Sequence, residues 1–285
     1  MQFIDELMSI VDPYAGLIID QWGVLHNGRE PYPGVHAVLD ELKRRDKTIV
    51  LLTNSGRRTD YNRVRMGRMG FNLSNIDGIV TSGEAGWLAL KLRDEPPYDQ
   101  LGRACYLLTR GGDLGVVEGL DVDLVDEVTD AEFIFLTGVD SPPLTLDDYK
   151  SVMDAARAKE LPVICSNPDR VAVSSRGLVT APGTVADYYE TIGGTVHYVG
   201  KPNRPIYSAC LNHFAELELS EILAIGDSLE HDIKGANGAG VDSVFIASGI
   251  HAEKLSDPAT RDAELDGLCQ HYGARPTYVV PKFAL

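Results

Sequence analysis

Leu17-Ile18-Ile19-Asp20 is a short apolar run that ends on a carboxylate. Ile49-Val50-Leu51-Leu52-Thr53-Asn54 repeats the form, and Ile222-Leu223-Ala224-Ile225-Gly226-Asp227 repeats it again. Runs that are apolar throughout, rather than alternating, predict strands buried on both faces, which is the habit of parallel sheets. Between the first two, the segment from Pro33 to Arg45 sets Val35, Val38, Leu39 and Leu42 at helical spacing. Strand, helix, strand in repetition predicts an α/β fold built on a doubly wound parallel sheet. In such sheets the site lies beyond the carboxyl ends of the strands. Asp20, Thr53 and Asp227 all fall at those ends.

The repeat is interrupted. From about Trp87 to about Asp187 the chain carries strand candidates of its own at Ala104 to Thr109, Phe133 to Thr137 and Val163 to Ser166, punctuated by Pro96-Pro97 and Pro142-Pro143. A stretch of this size is enough for a small domain. The expectation is a discontinuous core, 1–86 and 188–285, with a smaller α/β domain inserted at 87–187 between the third and fourth core strands.

Composition narrows the function. At 285 residues the chain is long enough for about two domains at ~150 residues each. Hydrophobic residues at 44% and charged residues at 24% exclude a disordered or collagenous chain. Acidic residues number 42 against 26 basic ones, a net charge of −16. Such a chain repels phosphate backbones at long range, which argues against nucleic acid as a partner but not against one small anion in a local site. Cys105, Cys165, Cys210 and Cys269 are too far apart for a zinc or redox motif and read as reduced thiols. The N-terminus has no basic, signal-like region, and no apolar run approaches the ~18 residues of a membrane span. These features predict a cytoplasmic protein with no membrane partner.

Four stretches carry chemistry. Asp20, followed by Gln21-Trp22-Gly23, is placed to be a nucleophile or a metal ligand, although Asp is also common in turns. Thr53-Asn54-Ser55-Gly56 offers a hydroxyl and an amide to phosphate oxygens; the same residues can supply a helix N-cap at Asn54 or Ser55. Gly200-Lys201-Pro202-Asn203 pins a lysine between a glycine and a proline just before a helix. In Gly226-Asp227-Ser228-Leu229-Glu230-His231-Asp232, two carboxylates five apart suit a hard cation such as Mg²⁺, whereas a structural turn needs only one of them.

In this order and spacing the four stretches resemble the haloacid dehalogenase-like (HAD) superfamily. Asp20 matches its nucleophile motif, Thr53 its second motif, Lys201 its third, and Asp227 with Asp232 its fourth. Asn27-Gly28, Pro33-Gly34, Ser166-Asn167-Pro168-Asp169, Ala181-Pro182-Gly183-Thr184 and Val199-Gly200-Lys201-Pro202 resemble subfamily IIA, the NagD-like and 4-nitrophenylphosphatase-like branch. The insertion looks like that branch's C2 cap. The resemblance implies a Mg²⁺-dependent phosphatase acting on a small phosphorylated metabolite. Asp20 would form an aspartyl-phosphate. Asp20, the Trp22 carbonyl and Asp227 would hold the metal. Thr53 would donate to a phosphoryl oxygen, Lys201 would balance charge, and Asp232 would position Lys201 or a metal-bound water. Asn54, Ser55, Gly56, Trp22 and His26 would line the substrate, the segments 166–170 and 181–184 would lie near the cleft, and relatives with this cap often form homodimers.

One position departs from the family. Its phosphatases usually carry Asp two residues after the nucleophile, to protonate the leaving oxygen and then activate water; here Trp22 stands there. An indole N–H does not give up its proton in catalysis. Three readings follow: a phosphatase limited to good leaving groups, one in which His26 supplies the proton, or a phosphate-ligand binder with little turnover. Dehalogenases of the superfamily also carry an aromatic residue here, but Asp227 and Asp232 look like the fourth motif of a metal-dependent phosphatase.

Overall fold

A computed structural model of the chain describes residues 1–174 and 177–285 and, within 173–178, the backbone alone. It divides into two units. The first is Met1–Thr53, Arg63–Val80 and Lys201–Leu285; the second is Asn54–Asn62 and Thr81–Gly200. The first four strands are β1 (Gln2–Phe3), β2 (Gly16–Asp20), β3 (Thr48–Thr53) and β4 (Gly78–Thr81). Seven follow in the second unit: β5 (Ala104–Leu108), β6 (Asp123–Leu124), β7 (Phe133–Leu136), β8 (Val163–Cys165), β9 (Val171–Ser174), β10 (Gly177–Thr180) and β11 (Val196–Tyr198). The chain then returns for β12 (Ile222–Gly226), β13 (Asp242–Ile246) and β14 (Tyr278–Val280).

The first unit is built on a seven-stranded sheet in the order β1-β14-β13-β12-β2-β3-β4. The pairings from β1 across to β3 are parallel. As the unbroken apolar runs predict, β2 and β12 are buried along their whole length. The helix Val35–Arg44 buries Val35, Val38, Leu39 and Leu42, the positions its spacing marked, in one core with Leu17, Ile19, Ile49 and Leu51. From β2 the chain winds one way through β3 and β4; from β12 it winds the other way through β13 and β14. The reversal falls between the adjacent strands β2 and β12, so the connections leave in opposite directions and open a crevice at their carboxyl ends.

The second unit has its own five-stranded parallel sheet, β11-β8-β7-β5-β6, and a separate antiparallel hairpin of β9 and β10. Ile134, Leu136, Val163 and Cys165 pack with Met153 and Ala156 of the helix Leu146–Ala158 and with Val185, Ala186 and Tyr189 of the helix Pro182–Thr191. The strands expected near 104, 133 and 163 are β5, β7 and β8. The span 87–187 lies inside this unit, whose sheet also takes β11 and whose chain also takes Asn54–Asn62. The fold is thus α/β, with parallel sheets flanked by helices. The four cysteines are free and buried. Among the described residues no helix is long and apolar enough to cross a membrane.

Candidate active site

Three adjacent parallel strands deliver the first groups. Asp20 ends β2, Thr53 ends β3, and Asp227 follows the last residue of β12. The register, Ile225 opposite Ile19 and Asp20 opposite Leu52, aligns all three at the carboxyl edge. Lys201 comes from the turn before the helix Arg204–Leu211. Its Nζ donates to Asp20 Oδ1 at 2.5 Å and to Asp232 Oδ1 at 2.7 Å. Asp20, Thr53, Lys201, Asp227 and Asp232 are all buried.

Asp232 sits in a π-helical turn, Leu229–Ile233, a widened i→i+5 element common at functional sites. Ser228 N–H donates to Asp232 Oδ2 at 3.0 Å, and the Ser228 hydroxyl accepts from His231 N–H at 3.2 Å. Tyr207 OH donates to the Asp232 carbonyl at 2.9 Å, and Ile250 N–H to Asp227 Oδ2 at 2.8 Å. Neither Tyr207 nor Ile250 was singled out by the sequence. The first acts on a backbone atom and the second through one, so side-chain type gives no signal.

Charge in the cluster is unbalanced. Asp20, Asp227 and Asp232 each bring a carboxylate oxygen within 4.8 Å of the others. With all three ionised, one ammonium leaves two negative charges uncompensated in a buried site. Burial raises the Asp20 carboxyl well above its usual range, with Lys201 pulling it back down. Burial, then Asp232, pushes Asp227 up to about 7. Burial alone would lower the Lys201 ammonium, but Asp20 and Asp232 raise it well above its usual value. Three clustered hard oxygens with excess negative charge are a donor set that fits a divalent cation.

The segment from Trp22 to Gly28 folds around the indole. His26 packs edge-on to Trp22 with ring centroids 5.7 Å apart, and the Arg65 guanidinium lies 5.4 Å over the indole. Arg65 Nη2 also donates to the Gly28 carbonyl at 2.9 Å. Gly28 has φ +91°, and a Cβ there would lie 2.1 Å from Trp22 Cη2. Arg65 escaped the sequence reading because the helix Thr59–Arg68 is polar on most sides and marks no face. His26 has no exposed surface, and its Nδ1 accepts from Gly28 N–H at 3.1 Å. Burial, then Arg65, pushes its pKa down to about 4. Full burial and the lowered pKa both make His26 a poor source of a proton at neutral pH, which counts against the reading in which it replaces the missing acid.

Beyond Thr53, Asn54 is buried and its Nδ2 donates to Asp169 Oδ1 at 2.8 Å. Ser55 Oγ accepts from Arg57 N–H at 3.3 Å and Asn62 Nδ2 at 3.2 Å. Gly56 sits against the Thr137 carbonyl, which a Cβ would meet at 1.8 Å. The next helix begins only at Thr59, whose N–H donates to Glu84 Oε2 at 3.1 Å, so neither Asn54 nor Ser55 is its N-cap.

Models described as haloacid dehalogenase-like hydrolase match residues 17–123 and 76–240, and one described as HAD-hydrolase-like matches 198–284. The chain is 34% identical over 122 residues to a dihydroxyacetone phosphatase of Corynebacterium glutamicum, covering 42% of this chain and 39% of that one. It is 26% identical over 249 residues to a D-glycerol 3-phosphate phosphatase of Mycobacterium tuberculosis, covering 86% of this chain and 66% of that one. The chain thus spans less than two thirds of either curated relative. A crystal structure of a haloacid dehalogenase-like hydrolase from Brucella suis is 29% identical and superposes with a TM-score of 0.83, over 99% of this chain and 100% of that one.

The packing of Trp22 on Gly28 yields a direct test. A side chain at a positive φ costs about 1–3 kcal/mol, and here it also displaces the indole. Gly28→Ala is expected to lose at least that much in urea unfolding and to shift the tryptophan emission. Wild-type stability with unchanged emission would show that the indole does not lie against Gly28.

Proposed function

Since the chain belongs to the haloacid dehalogenase-like hydrolases, we propose that it is a phosphatase that hydrolyses a small phosphomonoester through an aspartyl-phosphate on Asp20. The observation that carries this reading is the buried Lys201 bridging Asp20 and Asp232 at the carboxyl edge of the sheet, beside Asp227. The curated relatives are phosphatases by name, which supports the same substrate class.

Asp20 attacks phosphorus in line; the ester P–O bond breaks and the leaving oxygen departs with its electron pair. Water then cleaves the acyl phosphate, releasing inorganic phosphate and restoring the carboxylate. Thr53 donates its hydroxyl to a phosphoryl oxygen, and Asn54, Ser55 and Gly56 shape the loop around it. Lys201 offsets the charge of Asp20 and of the phosphoryl group, and Asp232 holds its ammonium in place. Asp20, Asp227 and the Trp22 carbonyl would hold Mg²⁺, which when bound neutralises charge on the transferring group. The segment 87–187 serves in this reading as a C2-type cap, the source of substrate selectivity.

The Trp22 indole does not give up its proton in catalysis, and burial works against protonation of His26 at neutral pH. General acid–base help is commonly worth ~10²–10⁴-fold. The reading therefore favours substrates whose leaving oxygen needs no proton, such as aryl and acyl phosphates.

Asp20→Asn keeps the shape of the carboxylate but not its nucleophilicity. Turnover of 4-nitrophenyl phosphate is expected to vanish while the melting temperature stays within a few degrees or rises, because a buried charge has been removed. Near-wild-type turnover would place the chemistry elsewhere.

Metal binding should depend on pH. A carboxyl pushed up to about 7 at Asp227 is protonated below that pH, and a cation must displace the proton. Calorimetry should show the Mg²⁺ affinity falling as pH drops from 8 to 6, about tenfold per unit at the acid end if one proton is released. Activity should be lost in EDTA and return with Mg²⁺. An affinity constant across this range, or full activity in a metal-free sample, would overturn the assignment.

The Trp22 position is tested by a rate series over leaving groups. Wild type should slow steeply from aryl to alkyl phosphates. Trp22→Asp should raise alkyl phosphate turnover by up to ~10²–10⁴-fold, less what is lost with the indole's packing, whereas His26→Ala should leave the leaving-group dependence as it is. Fast alkyl phosphate hydrolysis by wild type would overturn this reading. Phosphate-induced thermal stabilisation with no turnover in any variant would favour a binding protein instead.

A further inference from the structure

Asn54 and Asp169 stand 115 residues apart in the chain, yet they share a hydrogen bond of 2.8 Å. Both belong to the second unit. Asn54 follows Thr53 directly, so this hydrogen bond anchors the chain where it leaves β3. Asp169 is itself held from both sides of its peptide unit. Its N–H donates to Asn167 Oδ1 at 3.0 Å, and its carbonyl accepts from Gly183 N–H at 2.9 Å. Gly200, the residue before Lys201, meets the same place. A Cβ on it would lie 2.5 Å from Pro168 Cδ, 2.7 Å from Asn54 Oδ1 and 2.8 Å from the Ser166 carbonyl. The chain neighbours of Thr53 and of Lys201 thus converge on one turn, residues 166–169.

We propose that Asp169 is a positioning residue of the active site. Its carboxylate, acting through the Asn54 amide, orients the loop that presents residues 53–56 to a phosphoryl group. The proposal rests on the phosphatase reading above. A hydrogen bond to a charged acceptor is shorter and stronger than a neutral one, and burial strengthens it further. Asn at position 169 keeps an acceptor oxygen; Ala removes it. Asp at position 54 turns the donor into a second carboxylate facing the first.

The experiment uses the full chain and two readouts: steady-state kinetics with 4-nitrophenyl phosphate, and calorimetric binding of inorganic phosphate. Loss of a hydrogen bond to a charged group corresponds to about 10–100-fold. Asp169→Ala is expected to raise KM and weaken phosphate binding within that range, with a smaller change in kcat. Asp169→Asn should recover most of the loss. Asn54→Asp should be as impaired as Asp169→Ala, and the exchanged pair, Asn54→Asp with Asp169→Asn, should regain at least about tenfold over Asn54→Asp alone, because donor and acceptor are restored in reverse. Wild-type KM and phosphate affinity in Asp169→Ala would overturn the proposal. So would an exchanged pair no better than Asn54→Asp. A wild-type chain that binds phosphate but does not turn over removes the phosphatase reading alone, and the binding readout still decides the role of Asp169. A wild-type chain that neither binds nor hydrolyses removes both.

Discussion

The Lys201 ammonium, buried between Asp20 and Asp232, ties together parts of the chain that sequence keeps 181 and 31 residues apart. Taking one ammonium and two carboxylates out of water is expensive, and their mutual attraction repays this only when geometry and further hydrogen bonds are good. Here the supporting bonds are in place. Asp232 is fixed by the Ser228 N–H, and its backbone by Tyr207. An apolar trio of the same volume would hold the fold as well or better. A buried cluster with three carboxyl groups to one ammonium is therefore better explained by what it binds than by what it stabilises.

The parallel sheet makes that cluster affordable in space. Because β2 and β12 are neighbours from which the chain winds in opposite directions, their own connections leave the carboxyl ends on opposite sides. Asp20 and Asp227 meet there as a consequence of topology, and the π-helical turn after β12 brings Asp232 round to the same point. The strands need only be apolar and in register. Their tips are free of any packing duty and can carry carboxylates and a hydroxyl.

This separation explains what the sequence discloses. β2, β3 and β12 are legible because burial on both faces demands an unbroken apolar run, and the helix Val35–Arg44 because burial on one face demands its spacing. Asp20, Thr53, Lys201, Asp227 and Asp232 stand out as polar groups in settings that local structure does not require. The antiparallel hairpin β9–β10 and the short strands β6 and β11 left no such trace, since β6 is exposed and β11 only half-buried. Arg65 and the pairing of Asn54 with Asp169 were also silent. Both depend on contacts between distant segments, and a residue's type carries no record of the partner it meets.

Trp22 is the place where local chemistry and fold are hardest to separate. Read along the sequence, it stands where phosphatases of the resembled family usually carry an aspartate. In three dimensions it is the centre of a small packed unit: His26 at its edge, Arg65 over its face, and Gly28 without a side chain beneath it. An aspartate at this position would leave the Arg65 guanidinium without its aromatic face and open space above Gly28. His26 illustrates the same coupling, because the burial that packs it against the indole also pushes its pKa down to about 4. In the phosphatase reading, the absence of an acid at this position and the construction of the loop go together. The Trp22 carbonyl, which the phosphatase reading assigns to the metal, belongs to a residue whose side chain is held by those same contacts.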